Sequence, residues 1–462
     1  MNIIILSALS GIVFMFSGFY IKNHKALNLL SIILLLGMVI GGICQLAGYE
    51  ILADRYNNMI KPSPYGVIFF CVLAGLAILY MLINRNEFHK VGKHLGEYYA
   101  LIFFSFVGIS VLAQFANLIT MFLAIELLSI PMYLIAGTAK NSLKSTEASV
   151  KYFLMGAFST GILLLGMSFV YGSTGTFLIQ NIQTFLPELQ NLYYIGWVLI
   201  FTSFCFKVGA APFQFWVPDV YAGTPTVFTT YMATIVKGGS FLGFILIMQS
   251  FPFNEENYVY FRYLLTVIIF LTLFIGNYGA LNQRSVKKMM AYSSIAQAGF
   301  MLFVLFNINW VAKEALMYYT ISYSLASFII FYAINNMGKG NYADFAGLGK
   351  ANPILAFSVT IALISLAGIP LTAGFIAKFM TLSIGAMDEN NLAIIILGLI
   401  MAVIGMFYYF KVIVQMYFQR GNPKHKQQDG MTNFLLLTSV ILIIVLGIIP
   451  DLLTRCLNTP MW

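Results

Sequence analysis

Fourteen stretches of this chain are apolar for long enough to cross a lipid bilayer, which takes roughly 20 residues at a rise of about 1.5 Å each. They lie near 1–21, 26–47, 65–83, 98–114, 115–137, 149–171, 193–220, 223–249, 262–281, 289–306, 315–336, 352–383, 390–418 and 432–452. The fourth and fifth are parted only by the turn AQFAN at 113–117. Backbone polar groups in hydrocarbon must be paired within the segment, so such runs predict helices. The pattern is that of an all-α polytopic membrane protein with 14 transmembrane helices. In the longer connector 172–192, Leu178, Ile182, Phe185, Leu186 and Leu189 recur at helical spacing. This predicts a short helix lying on the surface, or else an ordinary packed loop.

Two runs carry their own interruptions. Gly209 and Pro212 fall inside the seventh, and Gly368, Pro370 and Gly374 inside the twelfth. Proline lacks the backbone donor and clashes with the preceding turn, so both helices should break there. A break at membrane depth is tolerated only where protein or water satisfies the freed groups. The two broken spans are five apart. An odd offset reverses direction, so spans 4–8 and 9–13 read as two inverted five-helix repeats. The organisation expected is three N-terminal spans in 1–97, a first repeat in 98–250, a second in 251–420 and a last span in 421–462.

Composition and charge sharpen this picture. The chain has 462 residues, 60% hydrophobic and 9% charged, where a soluble domain carries about 25% charged residues. The first twenty residues lack a basic start and a small-residue cleavage site, so they read as a retained helix. The four cysteines, Cys44, Cys71, Cys205 and Cys456, are far apart and form no redox-cofactor spacing. The four histidines all fall in predicted loops. Of the 25 lysines and arginines, sixteen fall on one side of the predicted topology and five, Arg55, Lys61, Arg262, Lys313 and Arg455, on the other. The positive-inside rule puts the sixteen in the cytoplasm, and an even number of spans puts both termini outside. The net charge of +9 is then mostly topology and implies no nucleic acid.

Four lysines remain within spans: Lys207, Lys237, Lys378 and Lys411. Among the sixteen acidic residues, Glu126 alone sits near mid-span. A charged lysine at the bilayer centre costs roughly 2.5–3.5 kcal/mol on insertion scales. Lys207 and Lys237 each lie some 14 residues into their spans, too deep for easy snorkelling. Lys378 follows the second break. A row of ionisable groups at one depth, Glu126, Lys207, Lys237 and Lys378, suits a proton relay, because burial and a mobile partner toggle a lysine between charge states. The plainer readings are a buried carboxylate satisfying a neighbour at Glu126, and lysines bracing the helix breaks. Lys411 lies about two turns from the cytoplasmic end of its span, where snorkelling competes with a relay role. Tyr292, Gln297, Tyr319 and Tyr323 could support the relay, or serve as ordinary interhelical glue. No nucleotide loop, catalytic triad or metal-ligand spacing occurs.

FKVGAAPFQFWVPDVYAGTPTVFTT (206–230), followed by Lys237, resembles the signature of the antiporter-like subunits of respiratory complex I, and within them the subunit N family of NADH-quinone oxidoreductase. ELLSIPMYLIAG from Glu126, EASVKYFLMGAFSTG from Glu147, NQRSVKKMMAYSSIAQAGFM from Asn282 and AGIPLTAGFIAKF from Ala367 carry the same resemblance. It covers at least 115–420. The L and M subunits typically have PDAH where this chain has PDVY at 218–221, M carries glutamate at the place of Lys378, and L has a C-terminal lateral helix not seen before Trp462. The resemblance implies an ion pair of Glu126 and Lys207, a central relay at Lys237 and a terminal lysine at Lys378. It implies a proton-translocating subunit in the bacterial cytoplasmic (inner) membrane, seated between K-like and M-like neighbours. It also implies no cofactor in this chain, with NADH, FMN, iron–sulfur clusters and quinone in other subunits. The alternative is a subunit of a multisubunit sodium/proton antiporter on the same fold. A passive membrane scaffold is a third reading, and it gains nothing from four deep ionisable residues.

The charge asymmetry is testable. In a background without native cysteines, an impermeant thiol reagent applied outside should label a cysteine at Thr184 and leave one at Ser142 unlabelled. The reverse pattern would overturn the predicted count.

Overall fold

The computed structural model describes residues 1–52, 58–92, 94–184, 190–251, 255–338, 340–421, 423 and 428–453. The helices are α1 (Asn2–Tyr20), α2 (His24–Leu46), α3 (Pro64–Ile83), α4 (Leu95–Leu112), α5 (Leu118–Ala136) and α6 (Leu143–Thr174). Then come the short α7 (Ile179–Thr184), α8 (Gln190–Val208) and α9 (Trp216–Gly223). The second half holds α10 (Thr226–Gln249), α11 (Glu255–Leu281), α12 (Val286–Phe306) and α13 (Trp310–Met337). It closes with α14 (Pro353–Ala367), α15 (Ala373–Gly385), α16 (Leu392–Phe418) and α17 (Gly430–Ile448). Among the described residues, thirteen helices are long and apolar enough to cross a membrane. Two shorter apolar helices, α14 and α15, fill the predicted twelfth span. The expected count of fourteen is reached only by taking that pair as one crossing.

Local chemistry explains where the helices start. Asn117, Asn309 and Asn352 each cap a helix, accepting from the backbone N–H of Ile119 (2.8 Å), Ala312 (2.8 Å) and Leu355 (3.1 Å). Pro353 follows its cap at the first helical position, where its missing donor costs nothing. α6 begins six residues before the apolar run that predicts it. Its first turns carry Lys144, Glu147 and Lys151, and Lys151 Nζ reaches both Glu147 (2.6 Å) and Asp219 of α9 (2.8 Å). A helix can continue past the apolar boundary when its polar residues pair in water. In the 172–192 connector, α7 buries Ile179 and Ile182, while Phe185, Leu186 and Leu189 lie outside the described residues.

Burial sorts the helices. The apolar stretch of α13 is buried completely and those of α10 and α12 to 94%, against 33% in α1. So α10, α12 and α13 form the centre, and Lys237 on α10 and Glu314 on α13 are buried there. α3 joins the centre from the N-terminal group. Its Tyr65 donates to Lys313 O at the start of α13 (2.9 Å), and its Tyr80 to Val227 O on α10 (3.1 Å). α17 closes the other flank, where Tyr318 of α13 donates to Leu446 O (2.6 Å).

Both interruptions end in the same way. At Gly209 φ is +75°, and Gly209 N and Ala210 N return to Phe206 O (3.0 Å) and Cys205 O (2.8 Å). At Gly368 φ is +83°, and Gly368 N and Ile369 N return to Ser365 O (2.9 Å) and Ile364 O (3.3 Å). Each is a Schellman termination, with a left-handed glycine and a proline close behind. α15 then starts hard against the end of α14. A Cβ on Gly374 would lie 1.8 Å from Ser365 O, a backbone atom that cannot yield. We expect Gly374→Ala to abolish accumulation of the folded chain in membranes. Gly161→Ala, at a helical glycine of α6 with nothing within 4 Å, should accumulate normally and gain up to about 1 kcal/mol of helix propensity. Immunoblots of solubilised membranes, with thermal melts of the purified protein, would read both.

Candidate functional site

α5 presents one face to the first break. Glu126, Ser129 and Tyr133 follow at i, i+3 and i+7, so they line up along that helix. Lys207, in the last turn of α8, reaches across to all three. Its Nζ donates to Ser129 Oγ (3.0 Å) and Tyr133 OH (3.3 Å) and stands 3.8 Å from Glu126 Oε1. Thr160 of α6 donates to the same carboxylate oxygen (2.7 Å). Gly156, one turn earlier on α6, leaves room for the Tyr133 hydroxyl, which a Cβ would meet at 2.1 Å. The Lys207 side chain is 9% exposed and that of Glu126 22%. The two charges are thus close but not hydrogen-bonded to each other, since 3.8 Å exceeds donor–acceptor reach. At about 4 Å and an effective dielectric near 20, their attraction is on the order of 4 kcal/mol, much of it offset by desolvation.

Lys237 is buried at the foot of a π-helical turn, Met232–Val236, within α10. Such turns often mark functional positions in helices. Its Nζ donates to the backbone carbonyl of Ser294 on α12 (2.8 Å). Lys378 is buried on α15. Its Nζ donates to Leu366 O (2.8 Å) and Ala367 O (3.0 Å), the last carbonyls of α14, and stands 4.8 Å from the centre of the Phe300 ring. In an unbroken helix Leu366 O would accept from residue 370, but that residue is proline and has no N–H. The ammonium takes the place of the missing donor.

Between these two lysines runs a polar seam. Gln297 of α12 donates through Nε2 to Leu366 O (3.1 Å) and to Tyr409 OH on α16 (3.0 Å). Tyr319 of α13 donates to Gln297 Oε1, and Tyr409 also bonds Ser293 Oγ. Tyr323 is buried beside Ser294 and Ser327. Tyr292 stands apart. It is half-buried, its ring packed over Gly279 of α11 and facing Asp219.

Lys411 is exposed on α16, and its Nζ lies 4.5 Å from the centre of the Tyr342 ring in the connector before α14. Its long stem carries the charge away from the seam. Thus Glu126 and Lys207 come together, Gln297 and Tyr319 join the seam between Lys237 and Lys378, Tyr323 flanks it, and Tyr292 and Lys411 lie off it. Ser129, Tyr133, Thr160 and Tyr409 are the polar partners that reading the sequence did not single out. Ser129 and Tyr133 were within reach of it, being on the Glu126 face at helical spacing. Nothing local marks Thr160 or Tyr409. Among the described residues no three of His, Cys, Asp and Glu converge as a metal-ligand set.

A family model described as NADH:quinone oxidoreductase/Mrp antiporter, TM, matches residues 115–405. The chain is similar to NADH-quinone oxidoreductase subunit N of Cytophaga hutchinsonii, 36% identical over 98% of this chain and 99% of that one. It is 32% identical to the subunit N of Flavobacterium psychrophilum over 99% of this chain and all of the other. In structure it matches a chain of respiratory complex I from Thermus thermophilus, with TM-score 0.84 and 25% identity over 98% and 99% of the two chains. A chain of the Mrp complex from Dietzia sp. shares the fold, with TM-score 0.83 at 15% identity over 100% and 96%.

The geometry separates Lys411 from the other lysines. Lys411→Arg should retain NADH-driven proton pumping, because arginine reaches the same interface and stacks on Tyr342 equally well. A loss as deep as that of Lys237→Ala would place Lys411 in the relay.

Proposed function

The chain belongs to the NADH:quinone oxidoreductase/Mrp antiporter transmembrane family, and from that membership we propose that it is a proton-translocating membrane-arm subunit of NADH:quinone oxidoreductase. It couples quinone reduction in other subunits to proton movement through Glu126, Lys207, Lys237 and Lys378. The flavin, the iron–sulfur clusters and the NADH and quinone sites belong to those other subunits, and this chain contributes no redox centre. Its neighbours are the K-like and M-like membrane subunits. It lies in the bacterial cytoplasmic membrane with both termini on the outer side. Spans 4–8 and 9–13 form the two inverted halves, and the paired terminations at Gly209 and Gly368 support that reading.

One observation carries the relay assignment. Three lysines sit in the protein interior, and each ammonium rests on neutral or loosely placed acceptors rather than in a tight ion pair. A tight pair would fix the charge, whereas a hydroxyl or a carbonyl holds an ammonium while leaving it free to lose its proton. The carboxylate at Glu126 is placed to stabilise charge on Lys207, and moving it away disfavours that charge. Proton arrival at one end can therefore alter the charge state of the next lysine without any large helix motion. The sodium/proton antiporter alternative is supported by the shared fold and by the breadth of the family model, while the two relatives described above, at 36% and 32% identity, are subunits N.

The pair at the start of the path gives the test. Glu126→Gln and Lys207→Ala should each lower proton pumping and coupled quinone reduction while the complex still assembles. Because the two act as a unit, the double variant should be little worse than the worse single one. The cycle should then show a coupling of roughly 0.5–3 kcal/mol. Additive losses would put the two residues on separate paths, and wild-type pumping in Glu126→Gln would leave that carboxylate a structural one.

A further inference from the structure

The Gln297 amide has a single permitted orientation. Leu366 O can only accept, so the side chain must turn its NH2 group towards it, and the opposite orientation would set two carbonyl oxygens face to face. The second N–H then donates to Tyr409 OH, and Oε1 accepts from Tyr319. Both donors and the acceptor are engaged within a buried seam. Tyr409 OH, while accepting from the amide, also shares a hydrogen bond with Ser293 Oγ in which either hydroxyl can donate.

That arrangement has an effect on proton movement. Lys237 ends on Ser294 O, and Lys378 on Leu366 O and Ala367 O. A backbone carbonyl accepts a hydrogen bond and has no proton to hand on. The hydroxyls of Ser293 and Tyr409 can both take and give protons, but the Gln297 amide caps them on the Lys378 side. Leu366 O is shared between Gln297 Nε2 and Lys378 Nζ, so the amide and the ammonium compete for one acceptor. The seam as it stands links the two lysines mechanically and keeps them apart for proton exchange.

Building on the relay reading above, we propose that Gln297, held by Tyr319 and Tyr409, is the latch on the step between Lys237 and Lys378. Gln297 and Tyr319 are positioning residues, and Tyr409 and Ser293 are the carriers. Closed, the latch keeps Lys378 on the break and the hydroxyls capped. When the amide turns away from Leu366 O, Tyr409 and Ser293 are released to pass a proton. One proton then leaves the Lys237 ammonium, which becomes a neutral amine, and one reaches a neutral Lys378 amine, which becomes an ammonium. Each hydroxyl between them gives one proton and takes one, and no electrons move.

The test uses the whole complex containing this chain, reconstituted in liposomes, with four variants. Gln297→Met keeps the volume and removes the amide. Tyr319→Phe removes the donor that holds Gln297 Oε1 and carries the test if Gln297→Met does not assemble. Tyr318→Phe is the control, because Tyr318 is as buried as Tyr409 but donates to Leu446 O (2.6 Å), off the seam. Lys237→Ala reports on the relay itself. Losing a hydrogen bond worth about 0.5–1.5 kcal/mol should raise passive proton leak through the complex roughly two- to tenfold in Gln297→Met and Tyr319→Phe. Protons pumped per NADH should fall in both, with the quinone KM and the uncoupled turnover unchanged, and Tyr318→Phe should match wild type. Wild-type leak and stoichiometry in both latch variants, alongside loss of pumping in Lys237→Ala, would overturn the latch and leave the relay standing. A raised quinone KM without leak would show a merely structural role and also overturn it. Normal pumping in Lys237→Ala would overturn the relay reading, and the latch with it.

Discussion

A backbone carbonyl released inside a membrane must find a donor, and this protein supplies that donor as a charge. Pro370 leaves Leu366 O without its helical partner, and Lys378 fills the vacancy from the next half-helix. The two costly features of the segment, a broken helix and a buried ammonium, each satisfy what the other lacks. The same economy explains why Gly368 has no side chain, since a Cβ there would lie 2.9 Å from Lys378 Cδ.

The first break solves the same problem with a different assignment of roles. There the lysine sits on the half-helix that ends, in the last turn of α8, and it points across to α5 rather than back onto its own break. Trp216 of α9 donates to Phe206 O instead (3.1 Å). Lys207 is therefore free to answer to Glu126, while Lys378 answers to the backbone. A carboxylate faces one lysine and backbone carbonyls hold the other, although the two terminations are built alike.

Much of this was legible in the sequence, because the signals are local. Long apolar runs mark the helices, glycine followed by proline marks the breaks, and a lysine deep in such a run stands out against its composition. The start of α6 was less legible, since Lys144, Glu147 and Lys151 resemble a loop until Asp219 is placed beside them. Partners on other helices were least legible. Tyr409 lies in the run FYYFK, where the two adjacent tyrosines look alike, and only the packing of α16 against α11 and α12 sends one hydroxyl to Gln297 and the other to Asn277. Tyr292 shows the converse. Its neighbours Ser293 and Ser294 face the seam, yet one residue is about 100° of helical rotation, and that turns Tyr292 onto α11.

α3 has a part beyond completing the bundle. Its two tyrosines tie the backbone of α13 at one end and of α10 at the other, and Arg85 and Asn86, just past its C-terminus, hold Asp429 before α17. α10, α13 and the approach to α17 are thereby riveted to one rod that carries none of the buried lysines. Sliding these helices past each other would shear several of the fastenings at once. The cheaper movements left to these helices are side-chain swings of a few ångströms about a stiff frame.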